Sequence, residues 1–238
     1  MSSNIVGYQK ITINTEFALI GAQFVNVGGE NKDINDLFTE NTLAGLDDSY
    51  RYQTSLKTWT GNGYTTYVWY DADDGTEADW EEANSKWLYF NESDVATAEV
   101  EPGAAFWIQT SGGAGSVTVA GEVPSDEIAP VTINKEFTLL ANPLPKDISI
   151  QSIVPDENIP GLDSNYRYQT CLKTWTGNGY NTYIWYDADD GTEADWPEAN
   201  AKWLYFNESD VADVTIHVGE GFWISTKAGV NGTISFTE

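Results

Sequence analysis

Short runs in which apolar and polar residues alternate recur along the whole chain. The segment Tyr64–Tyr70 reads YTTYVWY. Strand alternation puts Tyr64, Thr66, Val68 and Tyr70 on one face and Thr65, Tyr67 and Trp69 on the other. Rings stand on both faces, so at least one set belongs to a core. Similar patterns predict strands at IVGYQKITI, EFALIGAQF, WLYF, ATAEV and AAFWIQT, with a short helical turn at INDLF. Between YRYQTSLKTWT and YTTYVWY stands GNG, where Asn62-Gly63 predicts positive φ in a tight hairpin turn. Pro102-Gly103 predicts another turn, and SGGAGSVTVAG reads as a closing Gly-rich hairpin.

The pattern is written twice. Gly45–Val95 aligns with Gly161–Val211, and of these 51 positions only seven differ: 48, 49, 55, 65, 68, 81 and 85. Outside the block the match thins: ITINTEFALIGAQF answers VTINKEFTLLANPL, INDLF answers IQSIV, and EPGAAFWIQT answers HVGEGFWIST. Either a requirement holds the central block, or an exchange between the copies made it uniform. About seven or eight short strands per copy predict an all-β fold. It consists of two homologous β-sandwich or small-barrel domains in tandem, each with one or two short helices. The expected domains are 1–122 and 123–238, joined near AGEVPSDEIAP. That joint is too short for a flexible tether, so the copies touch or nearly touch.

Composition narrows the function. The formal charge of −26 excludes nucleic acid and anionic membrane as partners, because both need clustered Lys and Arg. No 18-residue apolar stretch is present, so membrane insertion is not expected. The opening MSSNIVGYQK lacks a signal-peptide pattern. The low Lys content and the Thr, Trp and Gly richness nevertheless have an extracellular or cell-surface style. With one Cys (Cys171) and one His (His217), neither a disulfide within the chain nor a Cys/His zinc site can form.

The acidic stretch YDADDGTEADW occurs at Tyr70–Trp80 and again at Tyr186–Trp196. Crowded carboxylates repel one another unless a cation or protons intervene. All-oxygen ligands on a turning loop point to Ca2+. The candidate ligands are Asp71, Asp73, Asp74, Glu77, Asp79 and Glu82, then Asp187, Asp189, Asp190, Glu193, Asp195 and Glu198. The spacing touches the EF-hand pattern, but Gly75, Thr76 and the strand that precedes the loop break it. Asp79 to Glu82 and Asp195 to Glu198 also read as helix capping boxes, with a helix of one or two turns following.

The aromatics raise a second chemistry, since flat rings stack on sugar faces. Tyr67, Trp69, Trp80, Tyr183, Trp185 and Trp196 are candidate glycan contacts, whereas Trp107 and Trp223 read as core. Catalysis has little support. His217 aligns with Glu101 and Cys171 with Ser55, so neither serves both copies. Arg51 and Arg167, each between two Tyr, are expected to stack and to form buried ion pairs with Asp47 and Asp163.

The combination of FALIG, INDLF, NGYTTYVWYD and PGAAFWIQ resembles uncharacterised secreted bacterial tandem-repeat β proteins with G-x-G-F-W-I and N-G-Y-x-T-Y segments. The resemblance covers nearly the whole chain twice. It implies a secreted β protein and brings no activity with it. The expected function is that of a secreted, non-enzymatic, calcium-stabilised binding or assembly protein of a cell surface or extracellular matrix. Self-association or a surface or matrix component is the expected partner, with SSNIVGYQKITI adding to a neighbour's sheet edge. The alternative is a carbohydrate-binding protein that uses the aromatic hairpin faces.

Overall fold

The computed structural model describes residues 6–26, 32–47, 51–71, 81–90, 94–124, 128–163, 167–187, 197–206 and 210–237. In the first half the strands are β1 (Val6–Ile13), β2 (Phe17–Gly21), β3 (Lys32–Asp33), β4 (Phe38–Asn41) and β5 (Thr54–Trp59). They continue as β6 (Tyr64–Tyr70), β7 (Lys86–Tyr89), β8 (Glu99–Val100), β9 (Ala105–Thr110) and β10 (Gly115–Glu122). A single helical turn, α1 (Ile34–Leu37), separates β3 from β4. The second half contributes β11 (Val131–Ile133), β12 (Phe137–Ala141), β13 (Ile148–Ser149), β14 (Ile153–Pro155) and β15 (Cys171–Trp175). These are followed by β16 (Tyr180–Tyr186), β17 (Lys202–Tyr205), β18 (Thr215–Ile216), β19 (Gly221–Ser225) and β20 (Gly232–Phe236).

The fold is all-β, and its strand pairs are antiparallel. One sheet runs β2-β9-β5-β6-β7 and faces a three-stranded sheet β1-β10-β4, with β3-β8 alongside. The second half repeats this as β12-β19-β15-β16-β17, β11-β20-β14 and β13-β18. Every named sheet therefore draws its strands from one half, and residue 122 ends the last strand of the first. Between the first pair of sheets lie Ile13, Phe38, Val117 and Val119 from one side, and Leu56, Tyr67, Trp69, Trp87, Phe106 and Ile108 from the other. Ile133, Ile153 and Ile234 meet Leu172, Tyr183, Trp185, Trp203 and Phe222 in the same way. Strand alternation aims one stripe of each strand into this space, which is why the sequence reads as alternating.

Several expectations are corrected. The Gly-rich SGGAG is not a hairpin turn, because it carries the chain from β9 in one sheet to β10 in the other. At GNG the positive φ belongs to Gly61 (94°) and Gly177 (96°), not to Asn62-Gly63 or Asn178-Gly179. With Trp59 paired to Tyr64, the loop has four residues, and it is closed by the Thr60 amide donating to Gly63 O at 2.9 Å. ATAEV supplies only the two-residue strand β8. β1 runs along β10 from Val6↔Glu122 to Ile13↔Gly115 as an edge strand of its sheet, and residues 2–5 of the segment expected to add to a neighbour lie outside the described residues. The short helices expected after the acidic stretches are 3-10 turns at Glu81–Ala83 and Pro197–Ala199.

The INDL turn has a specific use. Asn35 Nδ2 donates to Ala96 O at 2.8 Å and Trp87 O at 3.3 Å, while its Oδ1 accepts from the Trp87 amide at 2.7 Å. It thereby satisfies backbone at β7, the last strand of its sheet. Gln151 in the counterpart turn Ile150–Ser152 does the same for Trp203 and Ala212 at 2.8 to 3.0 Å. Removing either amide leaves buried backbone groups without partners. Asn35→Ala and Gln151→Ala are each expected to cost about 1–3 kcal/mol in chemical denaturation. A loss below a few tenths would show that water replaces the clamp.

Candidate functional site

The acidic stretches each join neighbouring strands. β6 and β7 pair at Tyr70↔Lys86, and β16 and β17 at Tyr186↔Lys202, so each stretch springs from a closed neck. Of the candidate ligands, Asp71 and Asp187 directly follow β6 and β16 and are partly buried, and Glu82 and Glu198 stand exposed on the 3-10 turns. Asp73, Asp74, Glu77, Asp79, Asp189, Asp190, Glu193 and Asp195 lie outside the described residues, as do Trp80 and Trp196. Among the described residues no three His, Cys, Asp or Glu gather closely enough to hold a metal ion.

The hairpin rings divide by face. Tyr67, Trp69, Tyr183 and Trp185 are only 5, 3, 4 and 2% exposed. As inward residues of their sheets they are packing, and the expectation that they stack on sugar is corrected: a ring enclosed by a core has no free face. Trp69 meets Trp87 at 5.2 Å and Trp185 meets Trp203 at 5.2 Å. Arg51 and Arg167 form the expected pairs with Asp47 and Asp163, both with Nε to Oδ2 at 3.2 Å. These pairs are not buried, because the Arg side chains are 75% and 74% exposed.

The outward face of the first five-stranded sheet is where rings and polar groups stand open together. Outward residues of β5, β6 and β9 are Ser55, Lys57 and Trp59, then Tyr64 and Thr66, then Trp107 and Gln109. A trough of about 360 Å³ runs over Ser55, Lys57, Thr66, Val68 and Gln109, rimmed by Tyr52 and Phe90. Tyr52 and Phe90 are 40% and 51% exposed. Lys57 Nζ donates to Gln109 Oε1 at 2.7 Å, which holds both polar ends over the floor. Lys57 also borders a second hollow of about 320 Å³ walled by Phe17, Tyr64, Trp107, Trp175 and Tyr180. The second half carries Tyr168, Lys173, Thr182 and Phe206 at matching positions, with Cys171, Ile184 and Ser225 in place of Ser55, Val68 and Gln109.

That second hollow lies where the halves meet, and the meeting is reciprocal. Trp59 Nε1 donates to Phe137 O at 2.8 Å, and Trp175 Nε1 donates to Phe17 O at 3.2 Å. Trp59 meets Trp223 edge-on at 5.4 Å, as Trp175 meets Trp107 at 5.1 Å. Trp107 and Trp223 are buried with Leu19, Ala105, Leu139 and Ala141, so they are core residues of the junction between the halves rather than of either half. The Gly21 amide donates to Gly219 O, and the Ala141 amide to Gly103 O, both at 2.8 Å. Gly103 and Gly219 adopt positive φ of 85° and 68°, a conformation that suits glycine and turns their carbonyls across the junction. Sequence periodicity marks these rings as apolar. It carries no signal that two outward faces cover each other.

His217 lies in the segment that makes several of these contacts. Its Nδ1 is 3.0 Å from Asp147 Oδ2, and Asp147 Oδ1 accepts from the Val218 amide at 2.9 Å. Val218 O in turn accepts from Gln9 Nε2 at 2.6 Å, and Gln9 Oε1 accepts from Gln23 Nε2. Cys171 faces Ser225, and burial pushes its thiol above the usual range. The structure thus brings His217 to Asp147 and Cys171 to Ser225.

The hydrogen bond with Asp147 raises the His217 pKa, while the Val218 amide and His217 lower that of Asp147. The His217 contribution to stability is full below its unfolded-state pKa and is lost as pH rises through the folded value. The Asp147 contribution is present above its unfolded pKa and is lost as pH falls. The pair therefore supports the fold most in the mildly acidic window between. A proton NMR titration is expected to place His217 above a free imidazole, with Asp147→Asn bringing it down. An unchanged midpoint in that variant would contradict the pairing. Comparison of the chain with protein-family models, with curated proteins and with solved structures finds no match.

Proposed function

We propose that this protein is a secreted, non-enzymatic binding protein of a cell surface or matrix that holds a glycan along the outward faces of its five-stranded sheets. The observation that carries the reading is the trough over Ser55, Lys57, Thr66 and Gln109, with Tyr52 and Phe90 open at its rim. A sugar ring has an apolar face of C–H groups and an edge of hydroxyls. Rings that stand free match the face, and hydroxyl, amide and amino groups between them match the edge. A purely apolar ligand would leave those polar groups unpaired, and a polyanion would be repelled by the charge of −26. The repetition of Tyr52, Lys57, Tyr64, Thr66 and Phe90 at 168, 173, 180, 182 and 206 supports two such faces in one chain, so that a second contact becomes intramolecular.

The test is a glycan array followed by calorimetry on the best neutral oligosaccharide. Replacing Tyr52, Phe90, Tyr168 and Phe206 together by Ala is expected to weaken binding at least about tenfold, since each stacked ring supplies roughly 0.5–1.5 kcal/mol. The fold should survive, because these rings are exposed. No glycan bound by the parent, or equal binding by the fourfold variant, would refute the reading.

Ca2+ at the acidic stretches is a second proposal, supported by their all-oxygen chemistry and by the pairs Tyr70↔Lys86 and Tyr186↔Lys202, which bring the two ends of each stretch together. Saturating Ca2+ is expected to raise the melting midpoint and EDTA to reverse it. Identical melting curves with no Ca2+ in elemental analysis would eliminate it.

A further inference from the structure

Matching lysines on the outward sheet faces are held in different ways. In the second half Lys173 Nζ stands over the Phe137 ring, 6.0 Å from its centroid. An ammonium is drawn to a ring face by the negative charge of the π system. Lys57, the match of Lys173, is tied elsewhere: its Nζ donates to Gln109 Oε1 at 2.7 Å, and Gln109 Nε2 donates to Glu16 Oε1 at 3.4 Å. Ser225 stands in the place of Gln109 and offers Lys173 no side-chain amide. Phe17, the match of Phe137, borders the hollow of about 320 Å³ together with Tyr64, Trp107, Trp175 and Tyr180. Trp107 stands at 84° to Phe17, 82° to Trp175 and 89° to Tyr180. Rings set at right angles form the walls of a box, where parallel rings would close into a stack.

We propose that this hollow is an aromatic cage for a small quaternary ammonium ion of the choline class. The matching ring of the second half already carries an ammonium, that of Lys173, which shows the preference of the arrangement. The charge of −26, with Glu16 next to Phe17 in the chain, favours a cation over an anion. A methylated ammonium has no N–H, so it needs no acceptor from walls that are chiefly rings. The volume lies at the small end of ligand pockets, which span roughly 300–1,000 Å³, and suits a compact head group. Tyr64 and Tyr180 are 47% and 46% exposed, so the cage is open to solvent. The Lys57–Gln109 bond keeps the chain's own cation from taking the place over Phe17 that Lys173 takes over Phe137. The site stands apart from the glycan reading, since its ring walls lie outside the trough.

The test titrates choline chloride into the full chain at constant ionic strength, followed by tryptophan fluorescence and calorimetry. The comparison is the neutral analogue in which a tert-butyl group replaces the trimethylammonium. Saturable choline binding at about millimolar concentration or below is expected, with the neutral analogue at least about tenfold weaker. Tyr180→Leu removes an exposed wall and is expected to weaken choline about threefold or more while the fold survives. Gln109→Ser gives Lys57 the surroundings of Lys173 and is expected to weaken choline as well, by freeing the Lys57 ammonium to enter the cage. No saturable binding, equal binding of the neutral analogue, or undiminished binding by Tyr180→Leu would overturn the cage. Undiminished binding by Gln109→Ser would overturn the part given to Lys57.

Discussion

A strand with rings on both faces must be covered on both, and that requirement governs this molecule. In Tyr64–Tyr70 the inward Tyr67 and Trp69 are covered by the three-stranded sheet. The outward side is divided. Val68 and Tyr70 are covered by Leu46, Ala83 and Leu88, while Tyr64 and its neighbour Trp59 look toward the other half. Burial of aromatic area is among the largest single contributions available to a small sheet, so the junction is part of the fold's stability rather than an afterthought of tethering. The trough is what remains of the outward face once the junction has taken its share.

The charge of −26 acts against compactness, and the described carboxylates show how it is managed. Asp156 accepts from the Thr233 amide at 2.7 Å, the Thr233 hydroxyl at 2.9 Å and the Asn158 amide at 2.9 Å. Burial works to raise its pKa, yet these bonds hold it below the usual value. Asp47 and Asp163 use a backbone amide and an exposed Arg in the same manner. Glu220 is the contrary case. Burial pushes its carboxyl up although the His217 amide donates to it at 2.9 Å, and it stands where the second half touches Ile20. Among the described residues, backbone amides serve each of these carboxylates, and Arg51, Arg167 and His217 add a basic partner at Asp47, Asp163 and Asp147.

The two copies agree through most of the 45–95 block, buried rings and open rings alike, and differ more outside it. Asn35 and Gln151 do one job with different residues, and Ala105 and Gly221 fill one strand position with different volumes. Tyr52, Tyr64, Phe90 and Lys57 are repeated unchanged at 168, 180, 206 and 173. A core tolerates substitution that keeps volume and pattern.

Read by itself, the chain's alternation and repetition determined most of the longer strands, the all-β class and the duplication, because strand period and self-similarity are local properties of the letters; β3, β4, β13 and β14 are too short to show that period. It also showed that rings occupy both faces of Tyr64–Tyr70. Which face became core could not be read there, since Tyr67 and Tyr64 are equally aromatic and differ only in which sheet lies opposite. The glycines misled for the same reason: whether SGGAG turns a hairpin or crosses between sheets depends on the partner that β10 finds, and GNG placed its positive φ at Gly61 once Trp59 had paired with Tyr64. Only the tertiary structure decided that Trp107 and Trp223 seal the halves together and that Tyr52, Lys57 and Phe90 share a trough. Those neighbours are far apart in the chain, and long-range packing, not local preference, brings them together.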